Sequence, residues 1–212
     1  MEDKHPTPGT ASVSAPALIL ASTSRYRREL LQRLRLPFDT VAPGVDETPA
    51  AHESPAELAQ RLSLEKARAV ARRFPQAVVI GSDQVADLHG QPMGKPGNHE
   101  RAVQQLQALS GQRVVFQTAL AVVCLHTGFE QHSLASVAVR FRTLDAQTIE
   151  NYLRAEEPYD CAGSAKSEGL GIALLESIDN DDPTALIGLP LIRTCALLRA
   201  AGLDPLRSAS AG

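Results

Sequence analysis

Apolar and polar positions alternate along this chain with two periods, and each change of period marks an element. Residues 17–21 are a short apolar run bounded by hydroxyl residues, the pattern of a buried strand. From 27 to 36 the apolar positions Leu30, Leu31 and Leu34 take helical spacing, and Pro37 ends that helix. A second strand is expected at 38–42, ahead of the acidic loop VDET at 45–48. Ser54, Pro55 and Glu57 then mark a helix start: a hydroxyl cap, a proline at the first helical position, and a glutamate that completes a capping box. A buried strand at 77–80 is expected to end at Gly81-Ser82-Asp83, followed by a hairpin around His89-Gly90. Asn98 caps a helix carrying Val103, Leu106 and Leu109, which Ser110-Gly111 ends. Alternation over 114–125 and 134–142 predicts two antiparallel strands with one wet face. A helix at 145–156, a glycine-rich loop CAGSAKSEGLG at 161–171, a strand at 172–176 and a helix from Pro190 to just before Gly202 complete the pattern.

Strand–helix units mixed with hairpins imply an α/β or α+β chain built on a mixed sheet. No Gly-x-Gly-x-x-Gly follows the first strand, which argues against a plain dinucleotide-binding fold. The 212 residues suffice for one sizeable domain, or two small lobes, without disulfides. A hydrophobic fraction of 43% and a charged fraction of 21% are those of a soluble globular protein. The net charge of −3 argues against a nucleic-acid coat and confines any anion binding to a local site. Cys124, Cys161 and Cys195 are odd in number and lack Cys-x-x-Cys spacing, so they resemble neither a disulfide framework nor a zinc site, and a reducing cytoplasm fits them best. No apolar run approaches the roughly 18 residues of a membrane span, and the first sixteen residues do not have the pattern of a secretory signal. Residues 1–16 and 208–212 are expected to be disordered tails around a single domain at 17–207.

Several residues ask for a partner that the chain itself does not obviously supply. Ser22, Thr23 and Ser24 precede Arg25, Arg27 and Arg28 where a helix begins, and a helix start carries free N–H groups and positive potential. The cluster is either a phosphate pocket or a hydroxyl cap followed by solvated arginines. Lys66 shares the four-residue spacing of Leu58, Leu62 and Val70, so it either snorkels to the surface or projects into a cleft. Asp83 follows the buried run Val78, Val79, Ile80; it is a ligand group at a strand end or a turn-forming aspartate. Asp46 and Glu47 could serve a hard divalent cation, or simply be a solvated loop. Gly94-Lys95-Pro96 is not a Walker motif, because it is one residue short and has proline in place of Ser or Thr, yet its turn can deliver Lys95. The six histidines are scattered, and no serine or cysteine has a nucleophile setting. Cations from three segments, carboxylates at loop ends and no nucleophile fit metal-assisted attack of water on a polyphosphate.

LILASTSRYRRELL, VDET, LSLEKA, IGSDQV, GKP, CAGSAKSEGLG and IGLPLI, in this order over 18–206, make the sequence similar to the Maf family of nucleotide pyrophosphatases. The resemblance implies an α/β fold in which a mixed twisted sheet with flanking helices forms two lobes around a deep cleft, as in Maf and ITPase-like proteins. It also implies a divalent metal (Mg, Mn or Co) and hydrolysis of a nucleoside triphosphate to monophosphate and pyrophosphate. Matched residue by residue, Asp83 becomes the general base, Ser22, Arg27 and Arg28 the phosphate-binding loop, Glu47 an acidic cleft residue, and Lys66 and Lys95 the cleft lysines. Glu47 and Asp83 are the implied metal ligands. The implied partner is a small-molecule nucleotide, with neither nucleic acid nor membrane, and a homodimer is the default for such an enzyme.

Tyr26, Gln84 and Glu168 resemble the branch acting on 7-methyl-GTP. The dTTP and UTP branch typically has proline, threonine and glutamine at these places. The 7-methylguanine base is a delocalised cation that the face of Tyr26 would attract, and Glu168 could accept from its N1–H and exocyclic amine. The bland alternative is that Tyr26 packs at the helix start and Glu168 is a surface carboxylate. Arg25 stands where that branch commonly has proline. Two competing functions remain: a dTTP/UTP pyrophosphatase, and a nucleotide-binding regulator of septum formation, a role with which Maf proteins have been associated.

Overall fold

The computed structural model describes residues 16–208, so the expected tails fall, except for Pro16 and Ser208, outside the described residues. Along the chain come β1 (Leu18–Leu20), α1 (Arg25–Gln32), β2 (Asp39–Thr40), α2 (Pro55–Ala71), β3 (Val78–Leu88), β4 (Gln91–Met93), α3 (His99–Leu109), β5 (Arg113–Cys124), β6 (Phe129–Phe141), α4 (Ala146–Glu156), β7 (Leu175–Asp179), α5 (Leu191–Ala200) and α6 (Pro205–Ser208). The strands form one mixed sheet in the order β2-β1-β3-β5-β6-β7, with β4 also on β3. β1 runs parallel to β2 and β3, and every other pairing is antiparallel.

The start of α2 follows its sequence signature: Ser54 Oγ accepts from the Glu57 N–H, and the Glu57 carboxylate accepts from the Ser54 N–H at 2.9 Å. The first helix is displaced from its expected bounds. Ser24 caps it by accepting from the Arg27 N–H, which draws Arg25 and Tyr26 into the first turn, and Arg35, at φ +55°, lies in the turn before Pro37.

The largest departure is β3, which does not stop at Gly81-Ser82-Asp83 but continues to Leu88. Its ladder with β5 is unbroken from Val79↔Val123 to Asp87↔Val115, so the partner strand satisfies backbone groups where the local sequence suggests a turn. On its other edge β1 pairs with residues 78–80 and β4 with residues 86–88. Residues 81–85 have no strand beside them on that edge, and the sheet opens there. β6 likewise begins at Phe129, because β5 pairs with a polar stretch whose composition carries no strand signal. β7 lies a few residues later than expected, as an exposed edge strand, and Leu170–Leu174 is a 3-10 turn.

The opening divides the core. On one side Leu30 and Leu31 of α1 and Leu198 of α5 pack with Leu20, Ile80 and Leu120 on one face of the sheet, while Ala67 and Val70 of α2 meet Ile19 and Val79 on the other. Beyond the opening, Leu106 and Leu109 of α3 and Ile149 and Leu153 of α4 surround Phe116 and Phe141. A fully buried side chain of this size contributes about 1.5–3 kcal/mol, so each lobe has a core of its own and the long strands join them. α2 approaches β3 so closely that a Cβ on Gly81 would lie 2.1 Å from the Ser63 carbonyl oxygen and 2.7 Å from the Ala67 nitrogen. No helix among the described residues is long and apolar enough to cross a membrane.

Candidate active site

A cavity of about 590 Å³ occupies the opening, and Ser22, Arg27, Glu47, Lys66, Asp83, Gln84 and Lys95 all line it. The two readings left open for Lys66 are separated by its position. It is buried, with Nζ 2.6 Å from Asp83 Oδ1 and 2.6 Å from Glu47 Oε1, so it projects into the cleft. A buried ammonium needs such partners, because an unpaired charge in the interior is costly. The close seat of α2 on Gly81 brings Lys66, one turn along from Ser63, within reach of Asp83.

Only one acid of the VDET loop enters the site. Asp46 accepts from the Thr48 N–H at 2.9 Å and its hydroxyl at 2.7 Å, a local turn, while Glu47 faces Lys66. Burial works against the Glu47 charge, but the hydrogen bond from Lys66, with the charges of Lys66, Lys95 and Arg27, outweighs it and holds the carboxyl below its usual range. The loop is tied down by Arg61, which donates to both Glu53 oxygens at 2.6 and 2.8 Å and to the Thr48 carbonyl at 3.1 Å. That pairing lowers the Glu53 carboxyl to about 2.

At the start of α1, the Ser22 and Ser24 hydroxyls accept from the Ser24 and Arg27 N–H groups. The hydroxyl cap is therefore present, and the same turn forms a wall of the cavity. Arg27 Nε donates to the Gly188 carbonyl at 2.9 Å, an oxygen that also accepts from Ser82 Oγ at 3.0 Å. Burial pulls the Arg27 pKa down, and the facing charges of Asp83 and Glu47 oppose it. Arg28 is exposed and lines a separate recess on the outer side of the turn. Lys95 is exposed at the cavity mouth, on a turn held where the Gly94 carbonyl accepts from Gln105 Nε2 at 3.1 Å and from the Gly163 N–H at 3.3 Å.

Neighbours on a strand face opposite ways. Asp83 turns toward α2, whereas Gln84 Nε2 donates to Thr118 Oγ1 at 2.9 Å and to the Ala185 and Leu186 carbonyls, each at 3.0 Å. Gln84 thus pins the segment whose Gly188 carbonyl holds Arg27.

Tyr26 and Glu168 lie outside the lining of this cavity. The Tyr26 hydroxyl donates to Asp160 Oδ1 at 3.2 Å and accepts from Arg25 Nη2 at 2.6 Å, and the Arg25 guanidinium lies over the ring, 4.7 Å from its centroid. Cys161 is beside them, its thiol pushed up to about 12 by burial. Glu168 is exposed on a loop that α4 fixes: the Tyr152 hydroxyl accepts from the Lys166 N–H at 3.0 Å, and Glu156 accepts from the Leu170 N–H at 2.7 Å and pairs with Lys166 Nζ. Partial desolvation by that loop, with the charges of Glu156 and Asp160, raises the Glu168 carboxyl above its usual value against the opposing charge of Lys166.

Sequence reasoning missed Asp160, Gln105, Arg61 and the Gly188 carbonyl. All four act through surface pairs or main-chain atoms that no spacing announces. For a metal, no group of three or more His, Cys, Asp or Glu among the described residues is placed to hold one. Glu47 and Asp83 both reach the Lys66 ammonium and offer hard oxygen donors beside it, and a magnesium-type site uses one or two carboxylates with substrate phosphate and water. The donor set fits such an ion.

The family model for Maf-like proteins matches residues 17–201, which takes in both walls of the cavity. A protein of Polaromonas sp. strain JS666, named 7-methyl-GTP pyrophosphatase, is 70% identical over 203 residues, covering 92% of this chain and 93% of its own. Proteins of the same name from Albidiferax ferrireducens and Bordetella avium are 67% and 60% identical, over 89% and 92% of this chain and 95% and 98% of theirs. A cleft with this charge arrangement, in a chain matched along nearly its whole described length, has one assignment: the chain belongs to the Maf family.

Proposed function

We propose that this protein hydrolyses 7-methyl-GTP to 7-methyl-GMP and pyrophosphate. The observation that carries the chemistry is the buried Lys66 ammonium between Asp83 and Glu47, in a cavity whose wall is the start of α1. The name shared by the relatives supports the choice of substrate.

The triphosphate lies against the N–H groups of the Ser22–Ser24 turn, with Arg27 and Lys95 balancing its charge. Arg28, on the outer side of the turn, adds to the positive field without a direct contact in this conformation. A water beside the α-phosphorus gives its proton to Asp83 as its oxygen bonds to phosphorus, and the bond from that phosphorus to the bridging oxygen breaks, releasing pyrophosphate. Lys66 fixes the Asp83 carboxylate for this transfer, and Gln84 acts through the Gly188 carbonyl to orient Arg27. Glu47 and Asp83 would hold a divalent metal, which when bound polarises phosphate oxygens. Tyr26 and Glu168 serve the base.

The test is pyrophosphate release by the purified protein, with magnesium or manganese, from 7-methyl-GTP, GTP, dTTP, UTP and CTP. Asp83→Asn should remain folded, with a lower melting temperature because the buried Lys66 ammonium loses one of its two carboxylates, and lose about 10²–10⁴-fold in kcat. Preference for dTTP or UTP would remove the base assignment and leave the chemistry. No turnover of any nucleotide would remove both.

A further inference from the structure

Arg25 is weakly anchored. It starts α1, where the helix dipole disfavours a cation, and its ion pair with Asp160 is long, at 3.9 Å, between side chains 64% and 54% exposed. What holds it is Tyr26. The guanidinium lies 4.7 Å from the ring centroid, donates to the phenol oxygen at 2.6 Å and has the Asp160 carboxylate at its edge, and that carboxylate also accepts from the Tyr26 hydroxyl at 3.2 Å.

Tyr26 therefore binds a planar, delocalised cation by its face and hydrogen-bonds it at the edge, with Asp160 alongside. The 7-methylguanine base is a second such cation, with N–H donors at its edge, and Glu168 lies on the loop that follows Asp160, near enough for its charge to act on Asp160 and Cys161. Two cations of this shape cannot share one face.

We propose that Arg25 is an internal occupant of the base-binding face of Tyr26, displaced by the incoming base, and that Asp160 is a further base-recognising carboxylate. This rests on the reading that the base of the nucleotide binds at Tyr26. Arg25 then sets base affinity without touching the phosphate chemistry. Little besides Tyr26 anchors it, so displacement needs no movement of the fold.

The experiment titrates 7-methylguanosine, which has no phosphate, into the full chain and into Arg25→Ala, Tyr26→Leu and the double variant, followed by NMR, with guanosine as the neutral control. Arg25→Ala should tighten 7-methylguanosine by about two- to fivefold, the factor that an exposed cation–π contact carries, and guanosine by less. In the Tyr26→Leu background the same change should do nothing. Unchanged or weaker binding in Arg25→Ala, tightening that persists without Tyr26, or no binding to any form would each overturn the proposal. Asp160→Asn should weaken 7-methylguanosine in the Arg25→Ala background, and an unchanged affinity there would remove Asp160 from base recognition. The hydrolysis panel is a separate readout: failure of the wild type to turn over 7-methyl-GTP refutes the proposed reaction whatever the nucleoside titration gives.

Discussion

Gly81→Ala adds one methyl group at the contact that sets the active-site spacing. The new Cβ would stand 2.1 Å from the Ser63 carbonyl oxygen, 2.7 Å from the Ala67 nitrogen and 2.9 Å from the Ala67 Cβ. Two of these are main-chain atoms of α2, so no rotamer change relieves the clash. Contacts of a real Cβ begin near 3.0 Å, so the helix must withdraw by about 0.9 Å. Overpacking of this kind costs about 1–3 kcal/mol, which for a chain of this length lowers Tm by about 2–12 °C. Lys66 moves with the helix, and its 2.6 Å contact with Asp83 stretches beyond hydrogen-bond range unless its flexible stem follows. A misplacement near 1 Å can cost about 10²-fold in rate, so kcat should fall by about 10–10²-fold. Thermal melts by circular dichroism and pyrophosphate release measure the two effects. A Gly81→Ala protein that melts with the wild type and turns over at the same rate would show that α2 does not sit where this geometry requires.

Lys66→Met keeps the unbranched stem of the side chain but removes the ammonium and leaves the Asp83 and Glu47 carboxylates without their shared partner. Breaking a buried pair costs about 3–5 kcal/mol, with the low end expected because Glu47 is more than half exposed, and urea melts showing no loss would contradict this. Arg61→Met should change the acid response. The folded Glu53 carboxyl, at about 2, lies below its ordinary 4.5, so its stabilisation is present above pH 4.5 and disappears as the pH falls toward 2. The wild type should therefore melt above Arg61→Met at pH 6, with the gap closing between pH 4.5 and 2; a constant or widening gap would exclude the Glu53 pairing as its cause.

The sites of α2, α3 and α5 could be read from capping residues and periodicity, because a capping box or an apolar stripe acts over one or two turns. The grouping of Ser22, Arg27, Glu47, Lys66, Asp83 and Lys95 in one cavity follows the sequence reading, in which cations and carboxylates together fit metal-assisted attack on a polyphosphate, and the family resemblance. Arg28 was expected among them but lies on the outer side of its turn: consecutive residues on a helix diverge by about 100°, and the sequence does not say which one faces inward.

The chain's own order of residues determined the element types, the family and the chemical character of the cleft, since propensity, capping and charge are local properties. Tertiary structure decided where β3 ends, because the β5 ladder, not the Gly-Ser-Asp sequence, satisfies its backbone. It also resolved Lys66, whose helical position permitted both burial and exposure until a carboxylate seventeen residues away claimed the ammonium. The occupancy of Tyr26 by Arg25, and the bracing of Arg27 by a carbonyl 161 residues away, depend on contacts between segments that folding alone brings together.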